Sequence, residues 1–256
     1  MVKAVCYLWR VSTSIAESSA VPARATRWRA RLNGIVFHAM LISMGLLAVV
    51  LGRLSRDKGR VWRFAKSQAR ILCRMCGVRV RIHGLEHLGD GPYVFTPNHQ
   101  SHFDIALLLG YLPGHNRFAT KVEMFRHPIM GPILRTLGMI PIDRDNPAAA
   151  IQALSGLRTE RSSVIIFPEG TRSRDGRLLP FKKGAFATAI EMHVPLAPVV
   201  CKDTAPIMPK GQPFIVNPGA VEIVVLPPIP TAGLSYADRD RLRDLVRERI
   251  AAELER

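Results

Sequence analysis

Acidic residues are nearly missing from the first third of this 256-residue chain. Residues 1–81 hold 16 Lys/Arg against only Glu17 and Asp57, whereas the remaining 175 hold 20 basic and 18 acidic groups. The net charge of +16 therefore belongs to the N-terminal segment and not to the bulk of the chain. Charge of one sign at one end points to an anionic partner there, a membrane surface or a nucleic acid. Cysteine is also scarce: Cys6, Cys73, Cys76 and Cys201. Cys73 and Cys76 form a C-x-x-C, but no second pair and no nearby histidine cluster completes a zinc site, so no metal is expected. Both fall in an expected helix, where cysteine behaves as a small apolar residue, and a reduced, cytoplasmic setting follows. There is no repeat of fixed period and no low-complexity tract. With 48% hydrophobic and 22% charged residues, the composition suits one domain with a real core plus a short appendage.

A long apolar run decides the nature of the anionic partner. Residues 34–52 read GIVFHAMLISMGLLAVVLG, with no charge and one histidine. As a helix this run reaches about 28 Å, close to the roughly 30 Å of a hydrocarbon core. A soluble nucleic-acid binder has little use for it, so the expected partners are anionic membrane lipids and no nucleic acid. Arg27, Arg29 and Arg31 precede the run, and Arg53, Arg56, Lys58 and Arg60 follow it. Flanks equally basic on both sides give no orientation by the positive-inside rule. Residues 61–76 mix Trp62, Phe64, Ile71 and Leu72 with Arg63, Lys66, Arg70 and Arg74, a pattern suited to an interfacial amphipathic helix. Two readings stand: a single spanning anchor, or a helical pair dipping into one leaflet, at the cytoplasmic face of the inner or plasma membrane. A cleaved signal peptide is disfavoured by the late start of the run and the lack of a small-x-small site behind it.

Beyond residue 77, short apolar runs alternate with helical patterns. Strands are expected at 78–83, 93–96, 117–120, 139–142, 163–167, 196–201 and 221–226. Helices are expected at 101–112, 127–137, 147–161, 183–193 and 236–255, the last capped by Ser235 with Asp238 in its first turn. This alternation predicts an α/β fold, a mixed, largely parallel sheet flanked by helices and preceded by the N-terminal membrane-associated helical pair. The expected organisation is a basic, mobile N-terminus over 1–33, the membrane-associated helical segment over 34–77 and the main domain over 78–256. Seven prolines from 206 to 230 mark a loop-rich hairpin region.

Two clusters carry chemistry. After the second strand comes Pro97-Asn98-His99-Gln100-Ser101-His102-Phe103-Asp104. A helix starting near Ser101 puts Asp104 in its first turn, from which its carboxylate reaches back to His99, fixes the tautomer and stabilises an imidazolium. Such a pair is what a hydroxyl nucleophile needs from a general base. Ser101-x-x-Asp104 equally reads as a capping box that merely starts the helix. The second cluster is Phe167-Pro168-Glu169-Gly170-Thr171-Arg172-Ser173. A glycine-containing turn with an arginine, after an apolar strand, suits an anion site at the strand's C-terminal edge, and a solvated turn arginine is the plain alternative. Lys121 and Arg144 close two further strands, so that Lys121, Arg144 and Arg172 place three cations at strand ends. The start of the helix at Phe181-Lys182-Lys183-Gly184 adds a further possible anion contact.

Together these blocks resemble the 1-acylglycerol-3-phosphate acyltransferase family of phospholipid synthesis. The N-H-x4-D block stands at Asn98 to Asp104, an arginine-ending block at Gly138 to Arg144, F-P-E-G-T-R-S at Phe167 to Ser173, and a hydrophobic-proline block at Val194 to Val199. Four blocks in order over residues 78–226 are far more specific than any one alone. The resemblance implies that His99 is the general base, with Asp104 as its partner. It also implies that Arg144 and the turn of Glu169, Gly170, Thr171 and Arg172 hold the acceptor, with cations on its phosphate. One departure is Pro141, where the family more often has a bulky apolar or aromatic residue. The resemblance implies transfer of an acyl chain from acyl-CoA or acyl carrier protein to a lysophospholipid acceptor, giving phosphatidic acid, with no cofactor beyond the donor substrate. Other acceptors (a lyso-ornithine lipid, another lysophospholipid, glycerol phosphate) share this chemistry, and a non-catalytic lipid-binding module is the reading from a different class.

Overall fold

The computed structural model of the chain describes residues 27–55, 57–143 and 162–256. Arg144, the expected helix at 147–161 and most of the basic N-terminus lie outside the described residues.

Among the described residues, seven strands form one sheet in the order β1-β7-β6-β2-β5-β3-β4. They are β1 (Val78–His83), β2 (Val94–Pro97), β3 (Asn116–Lys121), β4 (Ile140–Ile142), β5 (Ser163–Ile165), β6 (Leu196–Lys202) and β7 (Gly219–Val225). Neighbours pair in parallel except β6 and β7, which are antiparallel. The sheet is thus mixed and mostly parallel, and the antiparallel step falls in the proline-rich region read as a hairpin. β2 and β5 are buried at every position and β6 at all but its last, as strands covered by helices on both faces must be. β1 alternates buried and accessible positions, as an edge strand does.

Helices cover both faces. On one side lie α1 (Arg27–Leu54), α2 (Lys58–Met75) and α3 (Phe103–Tyr111). Their Phe37, Trp62, Leu72 and Leu107 share a core with Phe95 and Ile165 of the sheet. On the other side α5 (Gly184–Glu191) and α6 (Arg239–Leu254) set Phe186, Ala189, Val246 and Ile250 against Val94, Val164 and Leu196. Successive residues of β2 and β5 therefore feed opposite cores, the period-2 consequence of the pleat. α4 (Met130–Thr136) is shorter than the 127–137 expected, because His127-Pro128 delays its start and the preceding Val122–Arg126 is a 3₁₀ turn. α6 is preceded by a 3₁₀ turn in which Ser235 and Asp238 form the expected capping box. Cys73 and Cys76 are buried in the core and their thiols are pushed up to about 12 and about 11 by desolvation, the behaviour of inert apolar cysteines.

α1 begins at Arg27, well before the apolar run, since Trp28, Ala30 and Leu32 extend helix-forming sequence into the arginines. It is long and apolar enough to cross a membrane, and it has two unlike faces. The inner face is built of Ala30, Gly34, Phe37, Gly45, Ala48 and Val49, all buried. Its outer face exposes Leu32, Ile35, Leu46, Leu47, Val50 and Leu54. Small residues let the inner face approach closely. A methyl group on Gly34 would overlap the Phe214 carbonyl, and one on Gly45 would lie 2.5 Å from Ile133 Cδ1. The lone histidine of the run, His38, gives its Nδ1 to the Gly34 carbonyl at 2.8 Å and packs its ring on Phe214 at 4.9 Å. Gly34→Val should therefore destabilise the protein by about 1–3 kcal/mol through overpacking, whereas Ser43→Val on the outer face leaves the melting temperature nearly unchanged. Thermal unfolding of both variants in the same detergent checks this.

Candidate active site

His99 sits just past the C-terminal end of β2, and its placement starts with Asn98. The buried Asn98 amide donates to the Cys201 carbonyl at 3.0 Å and accepts the Cys201 N–H at 2.7 Å, extending the β2–β6 ladder by one side chain. The chain then turns into α3. One oxygen of Asp104, Oδ2, receives three donors: His99 Nδ1 at 2.8 Å, Gln100 N–H at 2.9 Å and Ser101 N–H at 2.9 Å. Ser101 Oγ in turn accepts from the Phe103 N–H at 3.2 Å and donates to the Met208 carbonyl. A single oxygen thus serves both the contact to His99 and the turn that opens α3. α3 starts at Phe103 because Gln100 and Ser101 are used in this cap. With Nδ1 facing the carboxylate, Nε2 carries the lone pair turned to a substrate. The imidazole stacks on Phe167, ring centroids 3.8 Å apart at 20°, which fixes its plane.

The second cluster holds the first. After β5, buried Glu169 accepts the His99 N–H on Oε1 at 2.6 Å and the Leu179 N–H on Oε2 at 3.0 Å. The Ser173 N–H donates to the His99 carbonyl at 2.8 Å. Both main-chain groups of His99 are therefore taken by residues 169–173. Gly170 has φ of +69°, the left-handed conformation that glycine allows at low cost, and its N–H closes the turn onto the Phe167 carbonyl. Burial pushes the Glu169 carboxyl up to about 7, against the lowering effect of its two N–H donors.

The cations divide. Arg172 is half-buried and makes no ion pair among the described residues. Desolvation lowers its pKa, opposed by attraction to Asp104, which places its charge within the field of the catalytic pair. Lys121 closes β3, two strands from β2 in the sheet, and forms an exposed ion pair with Glu123 at 2.9 Å. Lys183, at the start of α5, is taken by Asp240 at 3.0 Å. A residue with no sequence signal joins the site from the loop between β6 and β7: Lys210 donates to the Arg172 carbonyl at 2.6 Å and to Thr171 Oγ1 at 3.2 Å. It lies in Pro209-Lys210-Gly211, and no spacing rule links it to a turn some 40 residues earlier. His102 lies exposed beside the pair, and desolvation together with Arg172 pushes its pKa down to about 4, so it stays neutral at pH 7.

Residues 79–202 match the family model described as Acyltransferase. This segment contains His99, Asp104 and the Glu169–Arg172 turn. Within it the chain is similar to named enzymes. It is 39% identical over 179 residues to the chloroplastic 1-acyl-sn-glycerol-3-phosphate acyltransferase BAT2 of Brassica napus, covering 68% of this chain and 50% of that protein. It is 36% identical over 176 residues to the human 1-acyl-sn-glycerol-3-phosphate acyltransferase alpha, covering 67% of this chain and 62% of that protein. The chain thus spans half to two thirds of the length of these relatives. The crystal structure of the 1-acyl-sn-glycerophosphate (LPA) acyltransferase of Thermotoga maritima superposes with a TM-score of 0.75 at 25% identity, covering 90% of this chain and 98% of that one.

The buried Glu169 makes a pH-dependent contribution. Its folded pKa of about 7 lies above the ordinary 4.5, so the folded chain holds this proton more tightly than the unfolded one. The contribution is fully present below pH 4.5 and is lost as pH rises through about 7. Glu169→Gln should remove that slope, so the melting temperature of wild type should fall relative to that of the variant as pH rises across this window. A difference independent of pH would contradict the assignment.

Proposed function

We propose that the chain transfers a fatty acyl group from acyl-CoA or acyl carrier protein to the sn-2 hydroxyl of 1-acylglycerol-3-phosphate, giving phosphatidic acid. The observation that carries this reading is the His99 Nδ1–Asp104 Oδ2 contact of 2.8 Å with the unpaired Arg172 beside it. His99 Nε2 takes the proton from the acceptor hydroxyl as its oxygen attacks the thioester carbonyl. The tetrahedral oxyanion collapses, the C–S bond breaks, and the imidazolium returns the proton to the departing thiolate. Asp104 keeps the proton on Nδ1 and stabilises the imidazolium. Arg172 binds the phosphate of the acceptor, with Lys121 and Arg144 as further cations for it, while Gly170 and Thr171 form the turn that presents Arg172. Glu169 acts by holding the His99 main chain. The steps need no metal and no cofactor, the thioester being a substrate.

The same reading places the chain on the cytoplasmic face of a membrane. α1 meets the rest of the protein near both ends: the Val216 N–H bonds the Ala30 carbonyl at 3.0 Å, and Gly52 faces Thr136. A helix held along its length lies beside the domain, so its outer leucines enter one leaflet as part of a monotopic pair with α2. Anionic lipids suit the surrounding arginines.

Two kinetic outcomes are expected with each substrate varied separately. His99→Ala lowers kcat by about 10²–10⁴ with the fold intact, and Asp104→Asn lowers it heavily by releasing the tautomer. Arg172→Ala raises KM for the lysolipid by about one to two decades and leaves KM for the thioester nearly unchanged, with Arg172→Lys recovering part. A rise in donor KM alone would move Arg172 to the donor phosphates. A panel of lysolipid acceptors tests the acceptor, and preference for a phosphate-free lysolipid would overturn it.

A further inference from the structure

α2 presents three unlike sides. Val61, Ala65, Ala69 and Leu72 are buried against the domain. Ile71 and Met75 leave a second side apolar and open. On the third side Arg63, Lys66, Ser67 and Arg70 line an open cleft of ≈ 510 Å³, walled by Trp62 and His115. That volume is in the range of about 300–1,000 Å³ typical of small-ligand sites. The cleft is built and not a chance gathering of surface charge. Trp62 packs on His115 with centroids 4.5 Å apart and the rings tilted at 57°, and it donates its indole N–H to the Gly114 carbonyl at 3.1 Å. Lys66 donates to the carbonyls of Leu112 and Gly114, and Arg70 Nε donates to the Gly110 carbonyl at 2.6 Å.

These bonds hold the cations at the C-terminal end of α3, where carbonyls are otherwise unpartnered. They leave both terminal nitrogens of Arg70 without an acceptor among the described residues. Among the described residues no carboxylate lines the cleft, and the acid nearest in the chain, Asp57, pairs with Arg63 at an exposed 3.6 Å. Cations one helical turn apart repel, and Lys66 accordingly holds its proton less tightly, through burial first and Arg70 second. An anion in the cleft relieves that repulsion.

The place of the cleft in the fold says what the anion belongs to. Gly114 and His115 lead into β3, which runs parallel to β2 through β5, so the cleft lies at the N-terminal ends of the strands and His99 at their C-terminal ends. α1 links the two ends. Its Phe37 touches Phe103 beside the catalytic carboxylate at 5.4 Å, and its far end, the exposed Leu54, precedes the first turn of α2 where the cleft begins. A lipid whose tails lie on the outer face of α1 has its headgroup within reach of Arg63, Lys66 and Arg70.

We propose that this cleft binds the phosphate of an anionic membrane phospholipid, as an anchoring site separate from the site of acyl transfer. The proposal rests on the reading that α1 lies in one leaflet. The test uses the full chain and vesicles of phosphatidylcholine with and without phosphatidylglycerol. Ser67→Asp puts a carboxylate one turn from both Arg63 and Arg70, and Arg60→Gln removes one charge outside the cleft. Ser67 is exposed and its Oγ bonds only its own helix, at the Phe64 carbonyl, so the fold tolerates the change; thermal melting checks this. Loss of one charge from a diffuse basic surface weakens binding to anionic vesicles about fivefold. Ser67→Asp should weaken it about twentyfold or more, with binding to phosphatidylcholine alone unchanged and transfer activity in detergent within about twofold of wild type.

Equal losses for the two variants would overturn the proposal and leave the membrane reading standing. A wild-type chain that binds neither vesicle would overturn both. Stabilisation of wild type but not Ser67→Asp by inorganic phosphate, with no difference on vesicles, would assign the cleft to a soluble phosphate instead and overturn the lipid assignment.

Discussion

Everything at the candidate site depends on the main chain of His99 being held from both sides. Its N–H goes to Glu169 and its carbonyl to the Ser173 N–H, so residues on either side of Arg172 in the same turn hold the histidine. The consequence is geometric coupling. A shift of the turn displaces the imidazole, and a shift of the imidazole displaces Arg172. Proximity effects on a bimolecular transfer are lost with displacements of about 1 Å, which makes this shared backbone frame more consequential than any single side chain.

The frame is closed by residues that never approach a substrate. Asn98 ties the end of β2 to β6, Glu169 ties it to Leu179, and Lys210 ties the turn to the β6–β7 loop. That loop also receives Ser101 through the Met208 carbonyl and docks the N-terminal part of α1 at Phe214 and Val216. The apolar helix α1 and the turn at residues 169–173 thus rest on one connection. Asp104 shows the same economy in a single atom. Its Oδ2 starts α3 and contacts His99, and its three N–H donors offset the cost of burying this side chain.

Strand positions were legible because buried parallel strands are short apolar runs between turn residues, and β2, β5 and β6 are of that kind. α4 was read too long because periodicity extends through His127-Pro128, while the proline restricts the residue before it. The start of α1 was read too late because hydropathy, not helix propensity, drew its boundary. The His99–Asp104 contact and the arginine turn were visible because each is local, a few residues that the chain itself brings together. Glu169 was placed in the substrate turn by its neighbours in sequence, but its side chain faces inward to the main chain of another strand's loop.

The sequence by itself determined the local chemistry: a histidine five residues from a carboxylate, a glycine where the turn needs a left-handed residue, and an apolar run flanked by arginines. These depend on contacts between near neighbours, which spacing specifies. Only the tertiary structure decided which residues Glu169 and Lys210 serve, that one oxygen of Asp104 fills two roles, and that α1 lies along the domain with α2's cations gathered around the end of α3. Apart from those of Asp104, these contacts join segments far apart in the chain, and the grip of Glu169 on His99 exists because the strand order sets β5 beside β2.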